Sequence, residues 1–385
     1  MDPDRKKLRI FMTSDDFCPA ATGVGTHLQC IAPGLVERGH RVAVLTTIRP
    51  GEPTLENWEG VRVYRSRSVR TFGFYQSLAP EATIHRLMAE NDTQIVHHHY
   101  LSLQLMRAER AARRLGLPQV YTYHMDAAHL TQPWPLRPLK PLASRLIVNY
   151  TNRFDLVIAP SLNLVKRIKA GGTRTDSRYI SNPVVFGDTD GVQPAVRPGT
   201  FMVFFAGRLN AEKNIPLLLR GFAQLLQSHQ GAWLWIAGKG DQRARLESQC
   251  AALGIGHRVS FLGFLDHALL AAHYAACDVF VLPSLVETQG LVAMEAMRFS
   301  KPVIVTAAIV SAEELVEHGV NGYIVDAYAP GELAARLSSL ADDPALQSRM
   351  GLAGLRRCSA FVPEKVVSAL EDSYYEVLER RKTVA

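Results

Sequence analysis

The 385-residue chain has the length of two or three domains, and its hydrophobic content of 47% is ample for packed cores. No apolar stretch is long enough to cross a bilayer, and the basic start meets Asp15 and Asp16 too early to form a signal peptide. The five scattered cysteines are therefore expected to be reduced thiols rather than disulfides or metal ligands.

The net charge of +7 is concentrated in the first half of the chain. Residues 1–190 contain 25 Lys and Arg against 17 Asp and Glu, a balance of +8, whereas residues 191–385 contain 18 against 19, a balance of −1. Such asymmetry favours an anionic partner, which can be a membrane surface, a phosphorylated substrate or a nucleic acid.

In chain order, the first half alternates apolar strands with amphipathic helices. Strands are predicted at residues 9–13, 41–46, 61–64, 95–98, 120–124 and 156–159. One helix carries Leu28, Ile31 and Leu35 at helical spacing and ends at Gly39, and another spans residues 102–115. This alternation predicts a parallel sheet with helices on both faces.

The pattern breaks at residues 187–199, which are rich in Asp, Gly and Pro and are predicted to be an interdomain linker. Strands follow at residues 201–206, 232–237, 259–262, 279–282, 303–306 and 323–325. A last helix follows Pro363 and runs to Arg381. Each half thus predicts a doubly wound domain, and such domains bind ligands at the carboxyl ends of their strands.

Two glutamates, Glu287 and Glu295, enclose seven residues after the strand at 279–282. The first is expected in the turn after the strand, and the second two turns along a helix that begins near Gly290. The first amides of that helix can bind an anion, and the carboxylates can accept hydrogen bonds from sugar hydroxyls. The spacing favours a nucleotide-sugar site over a solvated helix with two incidental acids.

A basic turn, with Arg208 and Lys213, lies between the strand at 201–206 and the next helix. A guanidinium can fork onto phosphate oxygens, and an ammonium acts as a point charge, so together they can neutralise a leaving diphosphate without a metal. Earlier, Gly23 and Gly25 open the first long helix, where the backbone can approach an anion. This loop does not match Gly-x-Gly-x-x-Gly, which argues against a dinucleotide cofactor.

The run of residues 97–99 is three consecutive histidines. Residues on a strand alternate between its two faces, so these three side chains cannot converge on one ion. No metal site is therefore predicted.

Together these motifs resemble family 4 of the retaining glycosyltransferases. The run at 207–214 is similar to a signature of that family, and Glu287 with Glu295 resembles its Glu-x7-Glu element. The resemblance implies the GT-B fold, an α/β architecture of two doubly wound Rossmann-like domains facing across a cleft. Residues 1–187, with a C-terminal helix at about 363–385, would form the acceptor side, and residues 198–362 would bind the donor.

The resemblance also implies roles for individual residues. Glu287 would hold the hydroxyls of the donor sugar and Glu295 the ribose, while Arg208 and Lys213 would stabilise the departing diphosphate. A histidine at the position of His124 contacts the transferred sugar in the family, and Asp126 is assigned to the acceptor. The other implied donor contacts are Gly23, Gly25, Phe261, Gly290, Leu291 and Val292. The donor is expected to be a UDP-hexose, and neither a metal nor a further cofactor is implied.

Two features favour a membrane lipid such as diacylglycerol as the acceptor. Thr288, Gln289 and Gly290 follow Glu287 as in the Glu-Thr-Gln-Gly form of diacylglycerol glucosyltransferases. Basic residues also alternate with aromatic and apolar ones in two stretches, a pattern typical of proteins on anionic membranes. These residues are Arg62, Arg65, Arg67, Arg70, Phe72, Phe74, Tyr75, Trp134, Leu136, Arg137, Leu139, Lys140, Leu142 and Arg145.

The expected location is therefore cytoplasmic, peripheral on the inner face of the membrane. Nucleic acid is not an expected partner, because no nucleic-acid-binding motif accompanies the charge. A soluble sugar or an undecaprenyl-linked glycan remains an alternative acceptor. A nucleotide-sugar epimerase and a non-catalytic sugar-nucleotide-binding protein are the alternatives from other classes.

Overall fold

The structure, a computed structural model, describes residues 5–19, 22–71, 74–99, 101–124, 140–184, 186, 189 and 191–384. The chain forms two compact units, of which the first contains Met1–Pro183 with Pro363–Ala385 and the second contains Val184–Val362. Each unit has its own largely parallel sheet with helices between the strands. The prediction of two doubly wound α/β domains is confirmed.

An eight-stranded sheet forms the centre of the first unit, in the order β10-β9-β8-β7-β1-β2-β4-β3, and β5 and β6 form a separate hairpin. Only the edge strand β3 runs antiparallel to its neighbour in the described part of this sheet. The central strands are buried along nearly their whole length, as apolar runs in parallel sheets are. The strands are β1 (Arg9–Thr13), β2 (Arg41–Thr47), β3 (Leu55–Trp58), β4 (Val61–Ser66), β5 (Ser68–Thr71), β6 (Phe74–Ser77), β7 (Ile95–His98), β8 (Gln119–Thr122), β9 (Leu156–Ala159) and β10 (Ser177–Tyr179).

In the described part of the chain before the second unit, the helices are α1 (Gly23–Glu37), α2 (Glu81–Glu90), α3 (Leu103–Arg114), α4 (Lys140–Thr151) and α5 (Leu162–Ala170). The hydroxyl of Thr22 caps α1 by accepting a hydrogen bond from the Gly25 amide at 3.1 Å. Leu28, Ile31 and Leu35 of α1 are fully buried in the core of the unit, which confirms the predicted apolar face.

Strand β4 corrects one expectation about the basic surface. Its residues alternate between buried and exposed, and Arg65 follows Val61 and Val63 on the buried face. The Arg65 guanidinium lies 3.2 Å from Glu52 and 2.6 Å from Glu56, and only 2% of its side chain is exposed. Arg65 is therefore a paired internal charge, not a membrane contact, whereas Arg62, Arg67 and Arg70 are exposed.

Six parallel strands form the sheet of the second unit, in the order β13-β12-β11-β14-β15-β16. They are β11 (Phe201–Ala206), β12 (Ala232–Ala237), β13 (Val259–Gly263), β14 (Val279–Leu282), β15 (Val303–Thr306) and β16 (Gly322–Val325). The helices are α6 (Ile215–Leu225), α7 (Arg243–Ala252), α8 (His267–Ala276), α9 (Leu291–Arg298), α10 (Ala312–Leu315), α11 (Pro330–Asp342) and α12 (Pro344–Cys358). Strand order reverses between β11 and β14, which makes that point the topological switch of a Rossmann-like sheet.

The boundary between the units lies earlier than the predicted linker at 187–199. The Val184 amide donates to the Phe361 carbonyl at 3.0 Å, and Phe186 is buried in the core of the second unit, stacked on His267. The linker was predicted from composition, so its predicted start follows these two apolar residues, which come just before the Asp, Gly and Pro-rich stretch.

The last helix, α13 (Pro363–Val384), packs on the first unit. Its Glu371 accepts one hydrogen bond from Arg38 at 2.8 Å and lies 2.9 Å from Nε2 of His40. The Tyr374 hydroxyl lies 2.7 Å from Nδ1 of His97. Among the described residues, no helix combines the length and the hydropathy needed to cross a membrane.

Candidate active site

The switch point of the second sheet brings together two loops with the predicted donor-binding charges. Strands β11 and β14 pair directly, with Val203 opposite Val279 and Phe204 opposite Phe280. The loop after β11 carries Arg208 and the loop after β14 carries Glu287. Residues far apart in the sequence therefore meet at the edge where α/β sheets bind ligands.

Lys213 and Glu287 form an ion pair at this edge, with the ammonium donating to Oε2 of the carboxylate. Only 13% and 19% of the two side chains are exposed, so solvent screens the pair less than it screens a surface pair. The loops are also joined through their backbones, because the Leu285 amide donates to the Glu212 carbonyl at 2.8 Å. The two opposite charges are thus positioned before any substrate arrives.

Arg208 lies on the same loop as Lys213 and is more exposed, with 55% of its side chain accessible. Its Nη2 lies 3.2 Å from Oε1 of Glu212, four residues further along the chain. A guanidinium has five N–H donors in a planar fork, so one contact to Glu212 leaves donors that can bind phosphate oxygens.

Helix α9 begins at Leu291, four residues after Glu287, and its N-cap is a position that only glycine accommodates well. Gly290 has φ of +81°, and a Cβ at this position would lie 2.9 Å from a methyl group of Leu282. The amides of Leu291 and Val292 lie in the first turn, where an α-helix offers no intrahelical acceptor. The helix thus presents backbone donors beside the Lys213–Glu287 pair, an arrangement suited to a phosphate.

Glu295 lies further along α9, and its Oε2 accepts a hydrogen bond from the Tyr274 hydroxyl at 2.8 Å. Burial raises the pKa of Glu295 to about 7, although the hydrogen bond from Tyr274 lowers it. The carboxyl group therefore changes charge near neutral pH. Its predicted contact with a ribose stays a prediction.

We expect donor affinity to depend on pH through Glu295. An ionised carboxylate accepts hydrogen bonds from two ribose hydroxyls better than a protonated carboxyl group does. Glu295 ionises as pH rises through about 7. UDP should bind about tenfold more tightly at about pH 8 than at about pH 6, because a charged hydrogen bond contributes about 1.5–3 kcal/mol. In Glu295→Gln, which stays neutral, most of this change should disappear. Calorimetric titration of both proteins across the range tests this, and equal pH dependence in both would contradict it.

Phe261 lies on the edge strand β13, partly buried, with the Arg243 guanidinium 5.8 Å from its ring centre. The implied contact of Phe261 with the donor is compatible with the position of β13 at the edge of the sheet and stays a prediction.

In the first unit, Gly23 and Gly25 lie in the first turn of α1, as predicted. Their amides differ in what they can bind. The Gly25 amide already donates to the Thr22 hydroxyl, and that hydroxyl in turn donates to Asp16. Gly23 is exposed, whereas Gly25 is buried. An incoming anion would therefore meet the turn at Gly23 before Gly25.

His124 follows β8, which ends at Thr122, so this residue lies just beyond the strand rather than on it. Its Nε2 lies 3.4 Å from Nδ1 of His99, and its ring centre is 4.8 Å from that of His27. Burial, with a smaller contribution from His27, lowers the pKa of His124 well below its usual value. The imidazole is therefore neutral at pH 7 and suits a hydrogen bond to a sugar hydroxyl rather than charge stabilisation. Asp126 lies outside the described residues.

The three consecutive histidines point alternately to the two faces of the sheet, as expected. His98 contacts Thr13 at 2.8 Å and Gln119 at 3.0 Å, whereas the rings of His97 and His99 lie on the other face with their centres 3.8 Å apart. His27 comes from α1 and lies beside His99, and the sequence does not indicate this contact. No spacing pattern joins these histidines, so only the fold reveals the cluster.

Two family models match adjoining parts of the chain. The model described as glycosyl transferases group 1 matches residues 188–357, and the model described as glycosyltransferase family 4 matches residues 21–186. The chain is 27% identical over 369 residues to an uncharacterised glycosyltransferase of Methanocaldococcus jannaschii, covering 85% of this chain and 87% of the relative.

Two further relatives have names that indicate different products. An alpha-monoglucosyldiacylglycerol synthase of Acholeplasma laidlawii is 25% identical over 401 residues, covering 97% of this chain and 98% of the relative. A glycogen synthase of Mycobacterium tuberculosis is 27% identical over 397 residues, covering 97% and 95%.

Solved structures show the same fold. A sucrose-phosphate synthase from Thermosynechococcus elongatus superposes with a TM-score of 0.80 at 20% identity, covering 97% of this chain and all of the other. HepE of Anabaena in complex with UDP-glucose superposes with a TM-score of 0.77 at 23% identity, covering 95% and 99%.

Proposed function

The chain belongs to glycosyltransferase family 4 and has the GT-B fold, and on that premise we propose that it transfers a hexose from UDP to a membrane lipid such as diacylglycerol. The observation that carries the proposal is the Lys213–Glu287 pair at the switch point of the second sheet. A fixed cation beside a fixed carboxylate suits a substrate that contains both a diphosphate and a sugar.

In the proposed complex, the positive charges and the helix amides hold the diphosphate. Lys213 and Arg208 neutralise the charge that grows on the leaving group, and the first turn of α9 donates backbone hydrogen bonds. Glu287 accepts hydrogen bonds from the sugar hydroxyls. Because the ion pair already orients Glu287, the site loses little freedom when the sugar binds.

Transfer in this proposal retains the anomeric configuration. The acceptor hydroxyl approaches the sugar on the face from which the diphosphate leaves. The departing phosphate oxygen takes the hydroxyl proton as the new glycosidic bond forms, so UDP leaves protonated and no carboxylate nucleophile takes part. Neutral His124 is assigned a hydrogen bond to the transferred sugar.

Transfer is expected to continue in EDTA at an undiminished rate, since Arg208 and Lys213 supply the charge that a divalent ion provides in other transferases. The measurement is the initial rate before and after chelation and desalting, with and without added magnesium or manganese. Loss of activity in EDTA that either ion restores would contradict the assignment of these two side chains.

The choice of UDP as the carrier is supported by HepE, whose complex contains UDP-glucose. In the present chain β13 lies at the edge of the second sheet, and no described side chain on it distinguishes uracil from another base. The nucleotide is therefore proposed from the structural relative, and competition between UDP, GDP and ADP for the labelled donor tests it.

The lipid acceptor is supported by the Glu-Thr-Gln-Gly form at 287–290 and by the similarity to monoglucosyldiacylglycerol synthases. The exposed face of α4 adds a physical argument. Leu142 and Leu146 are four residues apart on this helix and are 57% and 60% exposed, and Arg145 is exposed beside them. Apolar side chains next to a basic one suit insertion into an anionic bilayer surface.

A glycan acceptor is the second candidate, because glycogen synthases and D-inositol 3-phosphate glycosyltransferases are similar to the chain over comparable lengths. The two candidates differ in what they require of α4. A soluble acceptor gives Leu142 and Leu146 no partner, whereas a lipid acceptor requires the enzyme to reach the membrane.

We expect the double variant Leu142→Ser/Leu146→Ser to bind anionic vesicles at least about tenfold more weakly, because burying one leucine side chain contributes about 1.5–3 kcal/mol. The measurement is flotation with phosphatidylglycerol vesicles that contain diacylglycerol, combined with transfer of labelled hexose into the lipid fraction. Leu352→Ser, at a leucine that is 52% exposed on α12, is the matched control.

Charge reversal at Arg67 and Arg70 should weaken binding only at low salt, because a surface attraction is screened within about 10 Å at 0.1 M salt. Arg65 is unsuitable for this test, since its replacement would leave Glu52 and Glu56 unpaired. Equal recovery on neutral and anionic vesicles, or transfer to a soluble glycan without vesicles, would favour the second candidate.

A further inference from the structure

A cluster of three histidines lies in the first unit beyond the carboxyl ends of β7 and β8. His27 comes from α1, His99 directly follows β7, and His124 lies two residues beyond β8. Their exposed fractions are 5%, 0% and 8%. One ring nitrogen from each lies within 4.8 Å of the other two, the one such group of potential metal ligands among the described residues.

Several nitrogens of this cluster are buried without a hydrogen-bond partner in the structure. They are Nδ1 and Nε2 of His27 and Nε2 of His99. A buried polar atom that makes no hydrogen bond costs about 1–3 kcal/mol, and such atoms often mark the place of a water or an ion. His27, whose two ring nitrogens both lack a partner, is the strongest indication that the cluster binds something.

The geometry fits a tetrahedral metal ion. Zinc lies about 2.0–2.1 Å from imidazole nitrogens, so two nitrogens on a tetrahedral ion are about 3.3 Å apart. Nδ1 of His99 and Nε2 of His124 are separated by 3.4 Å. The ring centre of His27 lies 5.4 Å from that of His99 and 4.8 Å from that of His124. A ring nitrogen of His27 lies within 4.8 Å of the other two ligand atoms, so the His27 ring has to move toward them to complete the three-nitrogen set.

The chemistry of the donor set selects the class of ion. Burial lowers the pKa of all three imidazoles, so the rings are neutral at pH 7, the form that binds a cation. Neutral nitrogen ligands favour zinc, cobalt, nickel and copper, whereas magnesium and calcium prefer oxygen ligands. A negatively charged ligand is not required, because three neutral imidazoles bind zinc in other proteins.

We propose that His27, His99 and His124 together bind one divalent ion of the zinc class, with the fourth coordination position open. The site is distinct from the Lys213–Glu287 pair, which lies in the second unit. Binding of the ion also inhibits transfer, a consequence that rests on the proposed role of His124, whose ring nitrogen the ion would occupy. Basal transfer needs no metal, whereas added zinc stops it.

The test uses the full-length chain without an affinity tag, stripped of metal by a chelator. Cobalt(II) is titrated into the protein, and its visible absorption reports four-coordinate nitrogen ligation. One equivalent per chain is expected, displaced by one equivalent of zinc. His27→Ala should weaken binding at least about a hundredfold, while His257→Ala, at an exposed histidine of the second unit, should not change it.

A second variant and a stability measurement distinguish loss of a ligand from loss of the fold. His99→Gln removes another ligand, and thermal unfolding of the metal-free proteins identifies any variant that has lost its fold. Zinc should raise the unfolding temperature of the wild type and of His257→Ala only, because a ligand stabilises the state that binds it. Absence of cobalt absorption in the wild type, or equal binding by folded His27→Ala, would overturn the proposed site.

Measurements of hexose transfer in the presence of zinc test the metal site and the proposed function independently. Micromolar zinc should inhibit transfer by the wild type and leave transfer by His27→Ala unchanged. Full cobalt binding without inhibition would keep the metal site and overturn the role of His124. Full cobalt binding by a protein that transfers no hexose would keep the metal site and overturn the proposed function.

Discussion

Lys213→Ala and Glu287→Gln should each reduce the rate of hexose transfer about 10²–10³-fold, since this is the usual cost of losing one preorganised polar contact to a developing charge. The two side chains pair directly at the end of β11 and β14, and both are mostly buried. Lys213→Ala should mainly lower kcat, because its charge matters most as the diphosphate departs. Glu287→Gln should also weaken the binding of the intact donor, since a neutral amide accepts hydrogen bonds from sugar hydroxyls less strongly.

The matched control is an ion pair at the opposite ends of the same two strands. Arg197 lies shortly before β11, Asp278 lies directly before β14, and the two side chains are 2.5 Å apart. Arg197→Ala removes a comparable charge from the amino ends of the strands, where α/β sheets do not bind ligands. It should lower stability slightly and leave kcat within a few-fold of the wild type. If all three variants lost activity equally, or if Lys213→Ala and Glu287→Gln kept it, the switch point would not be the site.

The central strands could be predicted from the sequence because their burial leaves a simple signal. β11 is buried at every position and consists only of apolar residues. By contrast, β3 has the pattern of an exposed edge, with Leu55 55% exposed, and its run Leu-Glu-Asn-Trp carries no strand periodicity strong enough to predict it. The β5–β6 hairpin was missed for the same reason, since short and partly exposed strands lack an apolar run.

The charged loops of the second unit could be placed because topology decides which loops meet. Once β11 and β14 are parallel neighbours, their following loops lie at the same edge, and the sequence alone indicates that these loops carry Lys213 and Glu287. The partner of Glu295 could not be predicted this way. Tyr274 comes from α8, and its position beside α9 depends on how the two helices pack.

Arg65 shows how a charge pattern can mislead. As one of several arginines in a basic stretch, Arg65 suggests an exposed surface. Along strand β4, however, it lies at every second position with Val61 and Val63 and therefore on the buried face. Its burial depends on Glu52 and Glu56, which lie close enough to neutralise the guanidinium, and the sequence does not show this proximity. The His27, His99 and His124 cluster was missed for a related reason, because its members come from three separate elements.

Gly238→Ala is expected to destabilise the second unit by about 3 kcal/mol or more and to abolish transfer. Gly238 follows β12 with φ of +131°, where an L-residue is strained, and a Cβ would lie 1.8 Å from the carbonyl oxygen of Gly207. Strain and overpacking each cost about 1–3 kcal/mol. Gly207 directly precedes Arg208, so relief of the clash would move the loop that positions Arg208 and Lys213.

The backbone hydrogen bonds around Gly238 make that movement difficult to absorb elsewhere. The Gly238 amide donates to the Gly263 carbonyl at 2.6 Å, and the Gly207 amide donates to the Ala237 carbonyl at 3.0 Å, so the ends of β11, β12 and β13 are fixed to each other. Gly256→Ala is the matched control, because no atom lies within 4 Å of the added Cβ and its φ is not positive. Denaturant unfolding measures the decrease in the free energy of unfolding, and donor titration under native conditions measures the decrease in donor affinity. A Gly238→Ala protein as stable and as active as Gly256→Ala would show that the close approach of these strand ends does not position the catalytic loop.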